Sequence, residues 1–580
     1  MKSNLQSFGP WGYLIPYWKR LLVGVVALLA SNGLVVTIPW FLGETINALR
    51  GPDAATAVPP LAIAIVILAA TQALVRILSR IAVFNAARMA EYDLRADAFS
   101  HLLKLDPGYY RKNRTGDVMS RLTNDVQTVR ALWGPGVLNI VNTAVAFTSA
   151  LILMIHLDSV LTLWALAPFP CIILFGRMFG RKIYKASRAV QKQLGALSSS
   201  IQQDLSGIAV IKSFTLEDNR TEHFRGESDQ LLHDNMAVVW IRGLLMPILG
   251  GLASLGTVIV IWVGGTAVVE GRMNLGQLVQ FNAYLAYLVW PTMALGWMIS
   301  LIQRGIASWN RIQHILGTEP SVQSGDQPVS EPQIGQIEFR DLTVEMDGHR
   351  ILDRISLTVP AGKVTAIVGR TGSGKTTLVE TIPRFVEVPP GSVLLDGMDI
   401  TQVPLQQLRS AISYAPQDSF LFSTTIEDNI GFGSDHPDTQ TLQNAAEAAG
   451  LTADLASFPK GWDTIIGERG ITLSGGQRQR VALARALASG NRVVILDDSL
   501  SSVDAETERT ILNHIDDVVG DRTVILISHR IAAVKRADQI AVLDEGRLVE
   551  TGTHEQLLAK NGLYAELYQT QLATQVSIDG

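Results

Sequence analysis

Cysteine is all but missing from this chain: among 580 residues only Cys171 carries a thiol, so no intrachain disulfide framework and no cysteine-based metal cluster can form. A free cysteine in an apolar stretch behaves as a small hydrophobe, and Cys171 is read as a packing residue. Charge is scarce as well. Asp, Glu, Lys and Arg supply 17% of the residues and the mean hydropathy is +0.23, too apolar for a wholly water-soluble chain. The net charge of −5 leaves no basic footprint, which argues against a nucleic-acid partner. The stretch MKSNLQSFGPWGYLIPYWKR is aromatic and polar and lacks a small-residue cleavage site, so no cleavable signal peptide is expected.

What is present divides in two. Residues 1–316 are dominated by apolar runs, 317–334 are a linker rich in Pro, Ser, Gly and Gln, and 335–580 have the mixed charge and Gly/Pro punctuation of a soluble α/β domain. Six runs, near 21–43, 61–84, 137–157, 160–179, 244–269 and 278–302, approach or exceed the ~20 apolar residues that cross a bilayer. Basic residues crowd Arg76 to Arg130 and Arg177 to Arg242, which places these loops and both termini in the cytoplasm. Both loops are longer than a turn needs and contain helical stretches. This predicts membrane helices that run on into the cytoplasm, with short transverse helices at Tyr109 to Asn124 and Ser213 to Glu222. Trp11, Tyr13, Tyr17 and Trp18 predict an interfacial helix. Asn32, Gln72, Asn85, Asn139, Asn142 and Gln303 serve either helix-to-helix hydrogen bonding or a pathway. Trp40, Phe41, Trp164, Trp262, Trp290 and Trp297 either line an apolar cavity or anchor at the interface.

In the second half, Val364 to Val368 has a buried-strand pattern that runs into Gly369-Arg370-Thr371-Gly372-Ser373-Gly374-Lys375-Thr376-Thr377, a complete P-loop pattern. The glycines let backbone amides cradle the phosphates of ATP, Lys375 neutralises β/γ charge, and Thr376 ligates Mg²⁺ together with Asp497, at the end of the strand pattern Val493 to Asp497. Asp498 follows, where a base has to sit. His529 ends another strand pattern, suited to contact a γ-phosphate or the lytic water. Leu473-Ser474-Gly475-Gly476-Gln477 is a small-residue turn opening a helix, whose bare amides and positive dipole end suit a phosphate.

In these motifs and their order the chain resembles the ATP-binding cassette exporters of the half-transporter type over essentially its whole length. Within them it is similar to the YheI/BmrC and MdlA-like subunits of bacterial heterodimeric multidrug exporters. Gly369 to Thr376 matches Walker A, Gln417 the Q-loop, Gly467 to Gly470 the X-loop, and Leu473 to Gln477 the signature. Val493 to Asp497 matches Walker B, Ser501 to Asp504 the D-loop and His529 the switch histidine, while Tyr110 to Asp117 looks like the first coupling helix. The resemblance implies a membrane α-helical bundle of six transmembrane helices followed by an α/β P-loop ATPase domain, in a bacterial inner membrane. It implies two chains sandwiching two ATP molecules, each site joining Walker A of one chain to the signature of the other. Gln417 is carried over as a metal and catalytic contact.

Two departures stand against the matches. The family's catalytic glutamate falls at Asp498, one methylene shorter, and its adenine-stacking aromatic at Met346. The expectation is ATP-driven export of hydrophobic or amphiphilic small molecules by one half of a heterodimer. Its own Walker site turns over slowly, and its Ser474-Gly475-Gly476 completes an active site on a partner half-transporter. The alternative is a homodimeric flippase of lipids or lipid precursors, in which Asp498 works as a modest base. Peptide or siderophore transport and a channel-like regulatory subunit complete the range.

Overall fold

The computed structural model describes residues 6–327, 334–434, 437–467, 473–503, 507–513 and 520–579. They fall into two compact units, one running to Leu103 and resuming at Thr115–Thr318, the other made of Lys104–Arg114 and the chain from Glu319 onward.

The first unit is helical. A 3-10 segment, Gln6–Tyr17, leads into α1 (Trp18–Ala48), followed by α2 (Ala54–Leu102). The short α3 (Pro107–Lys112) is succeeded by α4 (Thr115–Leu157), α5 (Ser159–Ser206), the short α6 (Ile208–Ser213), α7 (Glu217–Val269) and α8 (Leu275–Leu316). Six of these are long and apolar enough to cross a membrane, and each contains one expected span. With 31 to 53 residues apiece they measure about 45–80 Å, well beyond the ~30 Å of a bilayer core. The loops do continue the spans as helix.

The short helices in these loops differ in position from the transverse helices expected. The first is α3, opened by Pro107 at its first turn and ended by extended Asn113; by Thr115 the chain is already in α4. The second is α6, which meets the expected segment only at Ser213. Thr215, at φ 54°, breaks the helix after it, and Glu217 and Asp218 then start α7, where acidic side chains suit the positive end of the dipole. Tyr13 is also misread as an interfacial anchor. It is buried, its ring 6.4 Å from that of Trp133 and 6.1 Å from that of Trp309, whereas Trp11 and Trp18 are exposed. Cys171 is exposed on α5 rather than packed.

Polar groups inside the spans join helices. The Asn32 amide of α1 donates to Asn142 Oδ1 of α4 at 3.2 Å, Asn32 Oδ1 accepts from Tyr287 of α8 at 2.8 Å, and Gln72 of α2 donates to Ser31 at 3.2 Å. Asn139 bonds within its own helix, while Asn85 and Gln303 are exposed. Trp40, Trp164, Trp262, Trp290 and Trp297 all lie on the surface of the chain. Near the start of α4, buried Asp125 accepts from Ser308 at 2.9 Å and from Arg311 Nε at 2.8 Å, tying α4 to α8. Buried Glu91 of α2 likewise faces Arg88, Arg95 and Arg130 at 2.8–3.2 Å.

In the second unit β1 (Ile337–Met346), β2 (His349–Val359), β4 (Val393–Leu395) and β5 (Met398–Asp399) form an antiparallel sheet ordered β2-β1-β4-β5. The larger sheet holds β3 (Val364–Gly369), β6 (Ile412–Ala415), β7 (Val493–Asp497), β8 (Thr523–Ile527), β9 (Gln539–Asp544) and β10 (Arg547–Gly552), ordered β10-β9-β3-β8-β7-β6. It is parallel except for β10. Every residue of β7 and β8 is buried, as befits a parallel sheet covered on both faces. Helix α3 belongs to this unit: Arg111 pairs with Glu380 at 3.3 Å and Lys112 with Asp347 at 2.9 Å. The linker is irregular through residue 327 but anchored, Gln327 N donating to Gln402 O at 3.1 Å; residues 328–333 lie outside the described residues.

Asp125→Ala is expected to lower the thermal midpoint of the detergent-solubilised protein, because it strips partners from Ser308 and Arg311, a loss of about 1–3 kcal/mol. Arg311→Lys, which keeps the charge, should lower it less; equal midpoints for wild type and Asp125→Ala contradict the tie.

Candidate functional site

The parallel sheet opens its carboxyl end at the loops after β3, β6, β7 and β8, the edge where ligands bind in such sheets. After β3 the chain turns through Gly372 (φ 82°) and Gly374 (φ 94°) into α9 (Lys375–Thr381). Gly369 has no room for a side chain, since a Cβ there would stand 2.0 Å from the carbonyl oxygen of Leu543. Lys375 is buried, its Nζ donating to the carbonyl oxygens of Gly369 and Arg370, both at 2.9 Å. Burial pulls its pKa down, and the charges of Asp497 and Asp498 oppose that. Ser373 Oγ is buried without a hydrogen-bond partner among the described residues, as a group waiting for a phosphate oxygen would be. Arg370 reaches Glu566 at 3.0 Å; Thr371 is exposed and Thr377 half-buried in the first turn of α9.

Asp497 ends β7 with its carboxylate buried. Oδ1 accepts from Thr376 Oγ1 at 3.2 Å and Oδ2 from the Tyr414 hydroxyl at 3.2 Å. Burial raises the Asp497 pKa, and the two hydrogen bonds oppose that shift without cancelling it. Burial also pushes the Tyr414 hydroxyl pKa up, with the Asp497 charge adding to it. A carboxylate and a hydroxyl oxygen brought together from two elements form a donor set fitted to a hard divalent cation such as Mg²⁺, and a carboxylate short of compensation fits it further. Asp498 is buried beside it at φ 45°, its N–H donating to Ile527 O at 2.9 Å, while Gln417 Nε2 lies 3.5 Å from Asp498 Oδ2. His529 follows β8 on the exposed side of the loop, where the side chain of Gln571 bonds its backbone oxygen. Met346 ends β1 before a turn through Asp347 (φ 51°) and Gly348 (φ 80°). Its half-buried side chain packs against the core of this unit, so part of the thioether is already committed there.

The signature stands apart from this cluster. Ser474 caps α10 (Gly475–Ala488), its Oγ accepting from Gln477 N at 3.2 Å while Gln477 Oε1 accepts from Ser474 N at 2.9 Å. Gly476 passes so close to Ser502 that a Cβ would stand 2.9 Å from its carbonyl oxygen. Gln479 clasps the same segment, donating to Ser501 Oγ at 2.9 Å and accepting from Ser502 N at 2.8 Å. Ser474, Gly475, Gly476, Arg480, Ser502 and Val503 line an open polar cleft. Among the described residues no hydrogen bond joins the signature to the P-loop. Glu468 to Gly470 of the X-loop and Asp504 of the D-loop lie outside the described residues. Tyr414, which bonds Asp497, and Gln479, which bonds Ser501 and Ser502, are not among the residues expected from the sequence; a buried-strand tyrosine three positions before Gln417 is the available signal for the first.

Residues 21–292 match the ABC transporter transmembrane region family and residues 352–501 the ABC transporter family. The chain is 36% identical over 577 residues to the probable multidrug resistance ABC transporter ATP-binding/permease protein YheI of Bacillus subtilis, covering 98% of each. It belongs to the ABC transporter family. It is also 33% identical to the multidrug resistance-like ATP-binding protein MdlA of Escherichia coli, over 96% of this chain and 94% of that one. To an ATP-dependent lipid A-core flippase of Syntrophus aciditrophicus it is 35% identical, over 83% and 80%. A bacterial Atm1-family ABC exporter solved with ATP bound superposes with a TM-score of 0.80 at 26% identity, covering 95% of this chain and 99% of that one. This transporter is thus a multi-pass membrane protein with the exporter fold, its six spans fused to an ATP-binding ATPase domain that is coupled to transport.

Gly369→Ala is expected to lower the thermal midpoint of the transporter, since the Cβ must displace backbone rather than a flexible side chain, at about 1–3 kcal/mol. Gly195→Ala, in α5 with nothing within 4 Å of its Cβ, should leave the midpoint unchanged or raise it. A Gly369→Ala protein as stable as wild type overturns this close-approach argument.

Proposed function

We propose that this chain is one half of a heterodimeric exporter that uses ATP to move hydrophobic or amphiphilic compounds out across a bacterial inner membrane. Residues 1–316 form its membrane domain, 317–334 its linker and 335–580 its nucleotide domain, with both termini cytoplasmic. The names of its relatives, multidrug proteins and a lipid A-core flippase, support the substrate class. So do spans whose buried polar groups are spent on one another, leaving surfaces that are apolar and aromatic.

In this reading the amides of Gly369 to Thr377 and the Lys375 ammonium bind the phosphates of ATP, and Met346 touches the base without stacking on it. Thr376, Asp497 and Gln417 hold Mg²⁺, which when bound neutralises charge on the β- and γ-phosphate oxygens. Asp498, His529 and Gln417 orient the attacking water. Ser474, Gly475, Gly476 and Gln477 serve a nucleotide held by the partner.

The observation that carries the asymmetry is Asp498. Its backbone is fixed by the bond from its N–H to Ile527 O, so the missing methylene is not made up by sliding the chain forward. A carboxylate about 1 Å too far from the water costs on the order of 10²-fold in rate. The signature, by contrast, is intact and capped. The second reading, a homodimeric lipid flippase with Asp498 as a modest base, has in its favour the flippase relative and the presence of Lys375, Thr376, Asp497 and His529.

The purified chain alone is expected to show little ATPase activity, and Asp498→Glu to raise it about 10-fold or more. Robust turnover of the lone chain, abolished by Asp498→Asn, would establish the homodimer instead. In inside-out vesicles containing both halves, uptake of amphiphilic dyes should depend on ATP and fall when Lys375→Ala is introduced. Uptake indifferent to Lys375→Ala contradicts ATP-driven export.

A further inference from the structure

The two oxygens of the Asp497 carboxylate are used differently. Oδ1 faces Thr376 at 3.2 Å, on the side of the P-loop, and Oδ2 is taken by the Tyr414 hydroxyl at 3.2 Å. Tyr414 comes from β6, the edge neighbour of β7, in a parallel register that sets it opposite Ile495. Its ring packs against the core of the nucleotide unit and meets the ring of Phe385 edge-on at 5.6 Å, which fixes where the hydroxyl points. A phenol has one proton to give, and here it goes to a carboxylate that is only 1% exposed and has little water to turn to. Three residues further along the same chain is Gln417.

We propose that Tyr414 is a positioning residue for the Mg²⁺–nucleotide site: by occupying Oδ2 it turns Asp497 so that Oδ1, beside Thr376, is the oxygen presented to the cation. The inference rests on the reading above in which Thr376 and Asp497 hold Mg²⁺. Partners that orient a metal ligand typically matter 10–100-fold in metal affinity. Tyr414→Phe removes the hydroxyl alone and keeps the ring, its contact with Phe385 and the packing beneath it, so the fold is retained. Without the hydroxyl, Oδ2 is left buried without a donor and the carboxylate is free to rotate away from Thr376.

The test is binding of a fluorescent ATP analogue to the full-length chain in nanodiscs, titrated with Mg²⁺ and repeated in EDTA. Wild type is expected to bind more tightly with Mg²⁺, and Asp497→Asn to lose that gain. Tyr414→Phe is expected to need about 10-fold more Mg²⁺ for half of the gain, with its affinity in EDTA unchanged. A wild type indifferent to Mg²⁺, or an Asp497→Asn protein that keeps the gain, overturns the metal-site reading itself. If those two behave as expected and Tyr414→Phe titrates like wild type, the positioning role is wrong. An equal loss for Tyr414→Phe in EDTA and in Mg²⁺ also overturns it, by giving the residue a structural role only.

Discussion

A carboxylate buried at the end of a parallel strand constrains the whole nucleotide unit. Taking Asp497 out of water costs several kcal/mol unless hydrogen bonds or a cation meet it. The sheet order brings β6 and the P-loop strand β3 within one or two places of β7, so that Tyr414 and Thr376 arrive on opposite oxygens of one side chain. The apolar strands β7 and β8 keep water away from the other sides. Lys375, buried among backbone carbonyls, is the cationic complement. The same arrangement gathers a buried carboxylate, a threonine hydroxyl and a buried ammonium at the carboxyl end of the sheet.

The membrane unit solves the opposite problem. There the solvent is apolar, and the few polar groups of the spans find one another across α1, α2, α4 and α8. Among the described residues of this unit the buried charged side chains are paired: Glu91 with three arginines, Asp125 with Arg311 and Ser308. Helix α3 follows α2 in the chain and belongs to the nucleotide unit, where Arg111 and Lys112 pair with Glu380 and Asp347. The pair at Asp347 is one residue from Met346, so α3 is seated beside the turn that follows β1.

Much of this was legible in the residues, for reasons that differ by region. The six spans were readable because a bilayer demands about 20 apolar residues in a row, and the P-loop because phosphate chemistry fixes glycine, lysine and threonine at set spacings. Helices α3 and α6 were misplaced because six residues are too few to show a period; their ends depend on the backbone at Asn113 and Thr215. Tyr13 was misread because an aromatic near a membrane end suits an interface or a core equally, and only the neighbouring Trp133 and Trp309 decide. The bond of Tyr414 to Asp497 is not legible in the sequence because the two lie 83 positions apart on adjacent strands.

In the proposed heterodimer the stretch from Ser474 to Asp498 serves two different sites, the capped signature a partner's nucleotide and the shorter carboxylate of Asp498 its own. Vanadate trapping with photoreactive 8-azido-ATP measures that asymmetry directly, because only a site that has hydrolysed its nucleotide retains the label. In membranes holding both halves, this account predicts label on the partner chain and little on this one. Equal trapping on this chain would contradict it.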